Sequence, residues 1–323
     1  MKKSLSFLMI AFPILSWGQF AEMTPTRIFA RKKILNEFFV NDSTVFFWNT
    51  NKGSLRAGLA KTDNYAPYSE AFREVNIGNY SLAYGTNNIA SGTNSFAGGS
   101  RNISSGINSV ALGNLSEASI GNSFALGYNA KASANGAVAF SNGQAKADFS
   151  LAFSGGSTES VGSLAFHNGK TTNLGSFAIG ESAVATERYS AAIGRNITSN
   201  SKYCLVVGQF NDPTINTAGQ DDANSPRFVV GTGYSGVNNI NGFVVYQSGN
   251  ATHKGRISVN TASLPRASLD VVGTDAIIIP VGTSAQRPST PIVGMIRYNS
   301  EIDKYEGYVQ DAGSGAPGWK GLH

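Results

Sequence analysis

The side chains that could carry out chemistry are few and far apart along this chain of 323 residues. Histidine occurs at His167, His253 and His323, and no two of them have the spacing of a pair of metal ligands. Cys204 is the single cysteine, so no intramolecular disulfide can form, and we expect its thiol to be a small buried apolar group. The sequence contains no Gly-x-Ser-x-Gly, no His-Glu-x-x-His and no phosphate-binding loop. These residues predict no catalytic, metal or cofactor site.

The other polar candidates have simpler interpretations. Serine is abundant, but no serine comes with a recognisable base. Asp221 and Asp222 could bind calcium, although the polar segment 212–226 is expected to be a solvated loop. The carboxylates of the central region are scattered and are also expected to be solvated; they include Glu117, Asp148, Glu159 and Glu181. We therefore do not predict an enzyme.

Composition and charge exclude several classes of protein. Charged residues make up 14% of the chain, against about 25% in typical soluble domains, and glycine occurs 37 times. Hydrophobic residues make up 41% and are interleaved throughout, which argues against disorder. A net charge of +5 over 323 residues does not indicate a basic surface for binding nucleic acid. The composition favours turn-rich β structure.

Residues 1–18 resemble a secretory signal peptide. Lys2 and Lys3 precede an apolar run over 5–17, and small residues occupy the −3 and −1 positions of a cut before Gln19. The alternative is an N-terminal membrane anchor, but the run is shorter than the roughly 20 residues of a span. Removal of the leader lowers the net charge from +5 to +3, and no later segment is long enough for a membrane helix. We expect a secreted or outer cell-surface protein.

An internal repeat determines the elements that would position any site. The stretch NSVALG, residues 108–113, returns as NSFALG at 122–127, and such copies recur every 13 or 14 residues. Ten copies end at Gly85, Gly99, Gly113, Gly127, Ser141, Ser154, His167, Gly180, Gly194 and Gly208. His167 replaces a repeat glycine, so it is expected on an exposed turn; a symmetric trio of His167 around an ion is the alternative.

Each copy alternates small and bulky side chains. Alanine stands two residues before the end of nine copies and is replaced by Val206 in the tenth, with bulky residues on both sides and serine before them. Because successive side chains on a strand point to opposite faces, the alanines face one way and the bulky residues face the other. A shorter second strand, such as NIASG at 88–92, completes each copy. Coils of this kind predict a parallel β-solenoid that rises about 4.8 Å per coil.

Both faces of the alternating strand are apolar, so both should be buried. Alanine suits a very thin interior, but the bulky side chains do not fit there and must cover something outside the coil. Association of several copies through this face is the expected solution.

The repeats resemble the head repeats of trimeric autotransporter adhesins, which have SVAIG or SVALG cores at about 14-residue spacing. The resemblance covers residues 77–208 and implies a left-handed parallel β-roll in a homotrimer, with alanines inside each roll and bulky columns toward the trimer axis. No heptad stalk or membrane-barrel anchor is recognisable, so the self-anchoring of that family is not implied.

The flanking segments are expected to be β structure. Residues 19–76 should form an N-terminal cap, with Phe46, Phe47 and Trp48 in its core or, alternatively, as a ligand-stacking platform. Residues 209–265 should form a β connector. Its GTGYSG run is not a phosphate loop, because no helix follows it.

Residues 266–323 resemble the C-terminal modules of phage tail-fibre-like and bacterial surface proteins. The shared features are an LDV-G strand, an AQRP turn and an IRYN…YEGY…W meander. The resemblance implies a small β module at the end of a fibrous molecule, associated as a trimer, in which Tyr305 and Trp319 pack the meander rather than bind a ligand.

The favoured function is that of a trimeric fibre or adhesin-like structural protein whose loops attach multivalently to a surface glycan or protein. Exposed turn residues are the candidate contacts: Asn87, Asn88, Asn114, Tyr128 and Asn168. The alternatives are a self-processing or carbohydrate-active enzyme on a trimeric β scaffold, a phage-derived receptor-binding fibre, and an ice-binding solenoid. The leader argues against a phage fibre, and the mixed second-strand columns argue against ice binding.

Overall fold

The computed structural model describes residues 21–24, 27–30, 43–60, 71–215, 221–261, 263–274 and 276–322. The predicted leader, 1–18, lies outside this described part. The chain divides into two compact units, and the second begins at Gly255. The described residues form β-strands and three single-turn 3-10 helices, Glu74–Asn76, Pro213–Ile215 and Ser284–Gln286. In the described ranges, no helix has the length and apolar character needed to cross a membrane.

The described residues of the first unit contain 26 strands, numbered along the chain. They are β1 Ala21–Thr24, β2 Arg27–Ala30, β3 Ser43–Asn49, β4 Ser54–Ala60, β5 Leu82–Thr86, β6 Ile89–Ala90, β7 Phe96–Ser100, β8 Ile103–Ser104, β9 Val110–Asn114, β10 Glu117–Ala118, β11 Phe124–Tyr128, β12 Lys131–Ala132, β13 Val138–Phe140, β14 Gln144–Ala145, β15 Leu151–Phe153, β16 Ser157–Thr158, β17 Leu164–Phe166, β18 Lys170–Thr171, β19 Phe177–Ile179, β20 Val184–Ala185, β21 Ala191–Arg195, β22 Thr198–Ser199, β23 Leu205–Gln209, β24 Pro226–Thr232, β25 Asn241–Tyr246 and β26 Ala251–His253.

These strands form the predicted parallel β-solenoid. The odd-numbered strands from β5 to β23 pair in parallel in one sheet, and the even-numbered strands from β6 to β22 pair in parallel in a second sheet. Register follows the repeat, so Ala125 lies opposite Ala111 on one side and Ala139 on the other. The first sheet is longer than the ten predicted strands. β4 and β24 extend it in parallel, and β3, β25 and β26 add antiparallel strands, giving 15.

The interior of the solenoid is filled by small side chains from both sheets. The nine alanines of the odd-numbered strands are fully buried. The even-numbered strands contribute a second fully buried column, which consists of Ala90, Ser104, Ala118, Ala132, Ala145, Thr158, Thr171, Ala185 and Ser199. The two sheets can therefore approach closely, as the alanine column predicts. We missed the second column in the sequence because its residue types are mixed.

The serine column closes the turn that precedes each long strand. Ser95 Oγ donates to the carbonyl oxygen of Gly92 at 2.7 Å, and Ser109 repeats this bond with Gly106. The same bond to the residue three positions earlier occurs at Ser81, Ser123, Ser150, Ser163, Ser176 and Ser190. The column therefore satisfies buried backbone carbonyls, which explains why serine recurs without a catalytic base.

The turns require backbone with positive φ, and some turn glycines lie beneath an aromatic ring. Gly175 has φ +61° and Gly162 has φ +63°. A methyl group on Gly175 would lie 2.7 Å from Cδ1 of Tyr189, whereas one on Gly162 would have no neighbour within 4 Å. The two positions share one backbone conformation and differ in their surroundings.

We expect Gly162→Ala to lower the free energy of unfolding by about 1–2 kcal/mol, because alanine disfavours positive φ. Gly175→Ala should lower it further, because the ring of Tyr189 must also move. Urea denaturation of both variants checks this difference. Equal losses would show that the ring does not constrain Gly175.

Polar side chains close the two ends of the solenoid. At the first end, Arg56 occupies the alanine column next to Ala83 and is fully buried. Its Nη2 donates to Ser81 Oγ and to Ala90 O, each at 2.8 Å, and burial lowers the pKa of its guanidinium to about 10. At the other end, the side chain of Asn211 accepts from Thr198 N at 2.8 Å and donates to Thr198 O at 3.0 Å. This amide takes the place of a further strand beside β22, so the edge is not left open for pairing.

Where the structure describes the second unit, it contains six strands: β27 Ile257–Val259, β28 Leu269–Val271, β29 Val281–Gly282, β30 Ile296–Asn299, β31 Lys304–Val309 and β32 Gly318–Gly321. β27 and β28 form a parallel pair, and β29 to β32 form a four-stranded sheet. Trp319 packs within this meander, with its ring centroid 5.4 Å from that of Tyr308. Tyr305 packs against Tyr298 but stays 55% exposed.

Candidate interaction surface

The outer face of the 15-stranded sheet is a continuous apolar surface. In register, Val110, Phe124 and Val138 form one column. The adjacent column contains Leu112, Leu126, Phe140, Phe153, Phe166, Ile179 and Ile193. Every one of these side chains is half-buried or exposed, whereas the alanines between them are fully buried. We call this surface, made by the bulky columns of the odd-numbered strands, the outer apolar face.

Aromatic rings stack along the outer apolar face. The ring centroids of Phe140 and Phe153 lie 4.5 Å apart, and those of Phe153 and Phe166 lie 4.4 Å apart. The rings of both pairs are nearly parallel, at 2°. This spacing follows from the distance between paired strands, so the sheet holds the three rings as an ordered apolar strip.

The outer apolar face continues onto the flanking strands, which corrects one prediction. Trp48 pairs with Leu55, which pairs with Leu82 of the first coil, so Trp48 lies on the same face. Phe46 lies there too, and the two side chains are 48% and 75% exposed. The prediction that they form the core of a cap was wrong, because the hairpin extends the sheet instead of folding over its end. The side chain of Phe47 lies outside the described residues.

The second sheet presents a different outer face. Its outward positions include Glu117, Lys131 and Gln144, and Lys170 Nζ lies 3.1 Å from Glu159 Oε1. Charged and amide groups are hydrated there without cost. One side of the solenoid is therefore mostly polar, with Ile89, Ile103 and Val184 as the apolar exceptions, while the opposite side leaves large apolar side chains uncovered.

The repeat sequences identify the type of coil. Residues 77–102, 104–130, 121–140 and 172–196 match the family described as the YadA head domain repeat. The matched coils are similar to YadA head repeats, and we call the coils from β5 to β23 the head repeats. This agrees with the predicted resemblance to trimeric autotransporter adhesins, a family of adhesin-type surface proteins. No curated protein matches the chain.

The head repeats place the chemically competent residues apart from one another. His167 lies on an exposed turn with φ +48°, as predicted from its place in the repeat. Cys204 is 2% exposed, and burial raises the pKa of its thiol to about 11, so the thiol stays protonated at neutral pH. In the described ranges no three His, Cys, Asp or Glu side chains are grouped to hold a metal ion.

The two loop aspartates have partners within their own loop. Asp221 contacts Nη2 of Arg227. Asp222 Oδ1 accepts from Asn224 N at 2.9 Å and from Ser225 Oγ at 3.2 Å. Both carboxylates therefore have partners among the described residues around them.

Two of the five candidate contact residues of the head repeats are buried. Asn87 and Asn88 are 0% and 1% exposed, so the prediction that they are exposed turn residues was wrong. Asn88 Nδ2 donates to Tyr84 O at 2.6 Å and to Gly99 O at 2.8 Å, which draws this amide into the coil. Tyr128 and Asn168 are exposed.

The buried asparagines act as a ladder between head repeats. Asn102 donates from its backbone N and from its Nδ2 to Asn88 Oδ1, each at 2.9 Å, and its own Oδ1 accepts from Ser116 N at 2.9 Å. Sequence reasoning missed this ladder, although Asn88 and Asn102 are 14 residues apart, because asparagine is equally common on exposed turns.

Proposed function

We propose that this protein is a secreted, homotrimeric fibre segment of adhesin type that stands at the outer cell surface and presents its turns for multivalent attachment. The observation that carries the proposal is the outer apolar face, which in one chain leaves Leu126, Phe140 and Phe153 partly exposed although the alanines between them are fully buried. Packing against other copies removes this surface from water. The head repeats, shared with trimeric adhesins, support three copies.

The proposed role is structural and not enzymatic. The serines of the repeat are engaged with backbone carbonyls, and His167 and Cys204 lie in different surroundings, one exposed and one buried. A rigid rod can instead present Tyr128, Asn168 and the half-buried Asn114 in several copies. Repetition would allow weak contacts to a glycan or protein ligand to add up.

The mass of the purified protein in solution tests the proposal. Light scattering coupled to size exclusion is expected to give about three times the mass of the chain. The same sample, applied to an array of glycans and matrix proteins, is expected to bind at least one ligand more tightly as a trimer than as a dissociated chain. A folded monomer would contradict the proposal.

A further inference from the structure

The meander of the second unit has a charged face. Glu306 is 1% exposed, and its Oε1 accepts from Arg287 Nε at 3.0 Å. Arg297 Nε lies 3.7 Å from the same oxygen, and Asn299 Nδ2 donates to Oε2 at 3.2 Å. Both guanidiniums lie over the ring of Trp319, at 5.7 and 6.0 Å. The side of the sheet that is buried within one chain is therefore filled by an ion cluster, in which Arg287 holds the pKa of Glu306 below its usual range.

The other side of the same sheet is apolar and uncovered. Register places Ile296 and Tyr298 of β30 beside Gly307 and Tyr305 of β31, with Val281 of β29 next to Tyr298. Val281, Ile296 and Tyr305 are 61%, 55% and 55% exposed. We call this side of the meander the meander apolar face. A sheet that covers a core within its own chain buries its apolar side and exposes its polar side, and here the arrangement is the reverse.

The described residues of the second unit form no apolar core of their own. Its buried side chains, among the described residues from 255 to 322, are those of Asp270, Arg297, Asn299 and Glu306. Ion pairs alone are a weak source of stability, because desolvation offsets their attraction. A module of this size needs apolar burial to remain folded, so the burial must come from outside this unit.

We propose that the meander apolar face packs against the same face of other copies of this chain, and that residues 255–322 form a self-association module rather than a ligand-presenting tip. A core that the fold requires must be completed by something always present when the chain folds. Copies already aligned by the head repeats meet this condition, whereas a transient receptor does not. This inference rests on the proposed homotrimer.

Crosslinking of the full-length chain tests the inference with three single-cysteine variants. Ile296→Cys reports on the meander apolar face. Lys304→Cys, on the opposite face beside Tyr305, is the matched control, and Leu126→Cys reports on the head repeats. Each is made with Cys204→Ser and treated with a short bifunctional maleimide. We expect crosslinked chains for Ile296→Cys and Leu126→Cys, and at least tenfold less product for Lys304→Cys.

The outcomes separate this inference from the proposed homotrimer. Crosslinks at position 126 without crosslinks at 296 would overturn the self-association module and leave the homotrimer in place. A monomer that crosslinks at neither position would overturn both. As a second readout, Ile296→Asp should raise the rate of proteolysis within residues 255–322 about tenfold or more, while the head repeats stay trimeric. An unchanged rate would contradict the inference.

Discussion

Replacing Leu112, Leu126 and Phe140 together with aspartate is expected to abolish the trimer. The three residues lie in register in consecutive coils, at the centre of the outer apolar face. Their side chains point away from the solenoid interior, so a single chain can accept the new carboxylates in water. In a trimer, nine carboxylates would enter the shared apolar interface. An unpaired buried charge costs several kcal/mol, so association should be lost by many orders of magnitude in concentration.

Light scattering measures the mass of the triple variant, and circular dichroism measures its β structure. The mass should fall to that of one chain, and the ordered β signal should weaken because the uncovered columns lose their partner. The matched control places aspartate at Lys131, Gln144 and Ser157, which also lie in register but on the polar outer face of the second sheet. The control should remain trimeric. A trimer that survives the first substitution would show that the chains associate through another surface.

The solenoid could be predicted because its constraint repeats. In a strand, a period of two separates Ala125 from Phe124 and Leu126, and ten copies of the pattern make chance unlikely as an explanation. The interior holds alanine in each odd-numbered strand from β5 to β21 and nothing larger than threonine in the even-numbered strands from β6 to β22, so these columns report how closely the sheets approach. The proposal of oligomerisation rests on the same columns, because residues as large as Phe124 and Leu126 have no place inside.

The features that the sequence did not reveal occur once or depend on local hydrogen bonds. Arg56 reads as an exposed charge, yet it fills the end of the interior, where its Nη1 and Nη2 donate four hydrogen bonds to Leu55, Ser81 and Ala90. Trp48 reads as a capping side chain, and only the pairing of β3 with β4 shows that it extends the outer apolar face. A pattern needs repetition before it can be recognised, and the ends of a solenoid have none.

The interior gives the second large effect, which we expect from Ala139→Leu. Ala139 is fully buried between Ala125 and Ala152, and the alanines of the second sheet, Ala132 and Ala145, belong to the same cluster. Overpacking a core by a few methylene groups commonly costs about 1–3 kcal/mol. Here the three added carbons enter a cluster of fully buried alanines, so the sheets must separate, and we expect a loss of at least about 3 kcal/mol.

Thermal denaturation checks this loss against a neighbour on the other face. For an assembly unit of this size, 3 kcal/mol corresponds to a fall in Tm of about 6–12 °C. Val138→Leu is the matched control, because residue 138 precedes Ala139 on the same strand and points to the outer apolar face. It adds one carbon where the surface can adjust, and its cost should stay below about 1.5 kcal/mol. Similar falls in Tm for the two variants would mean that the interior has room for side chains larger than alanine. The bulky face would then not have to pack against a second chain.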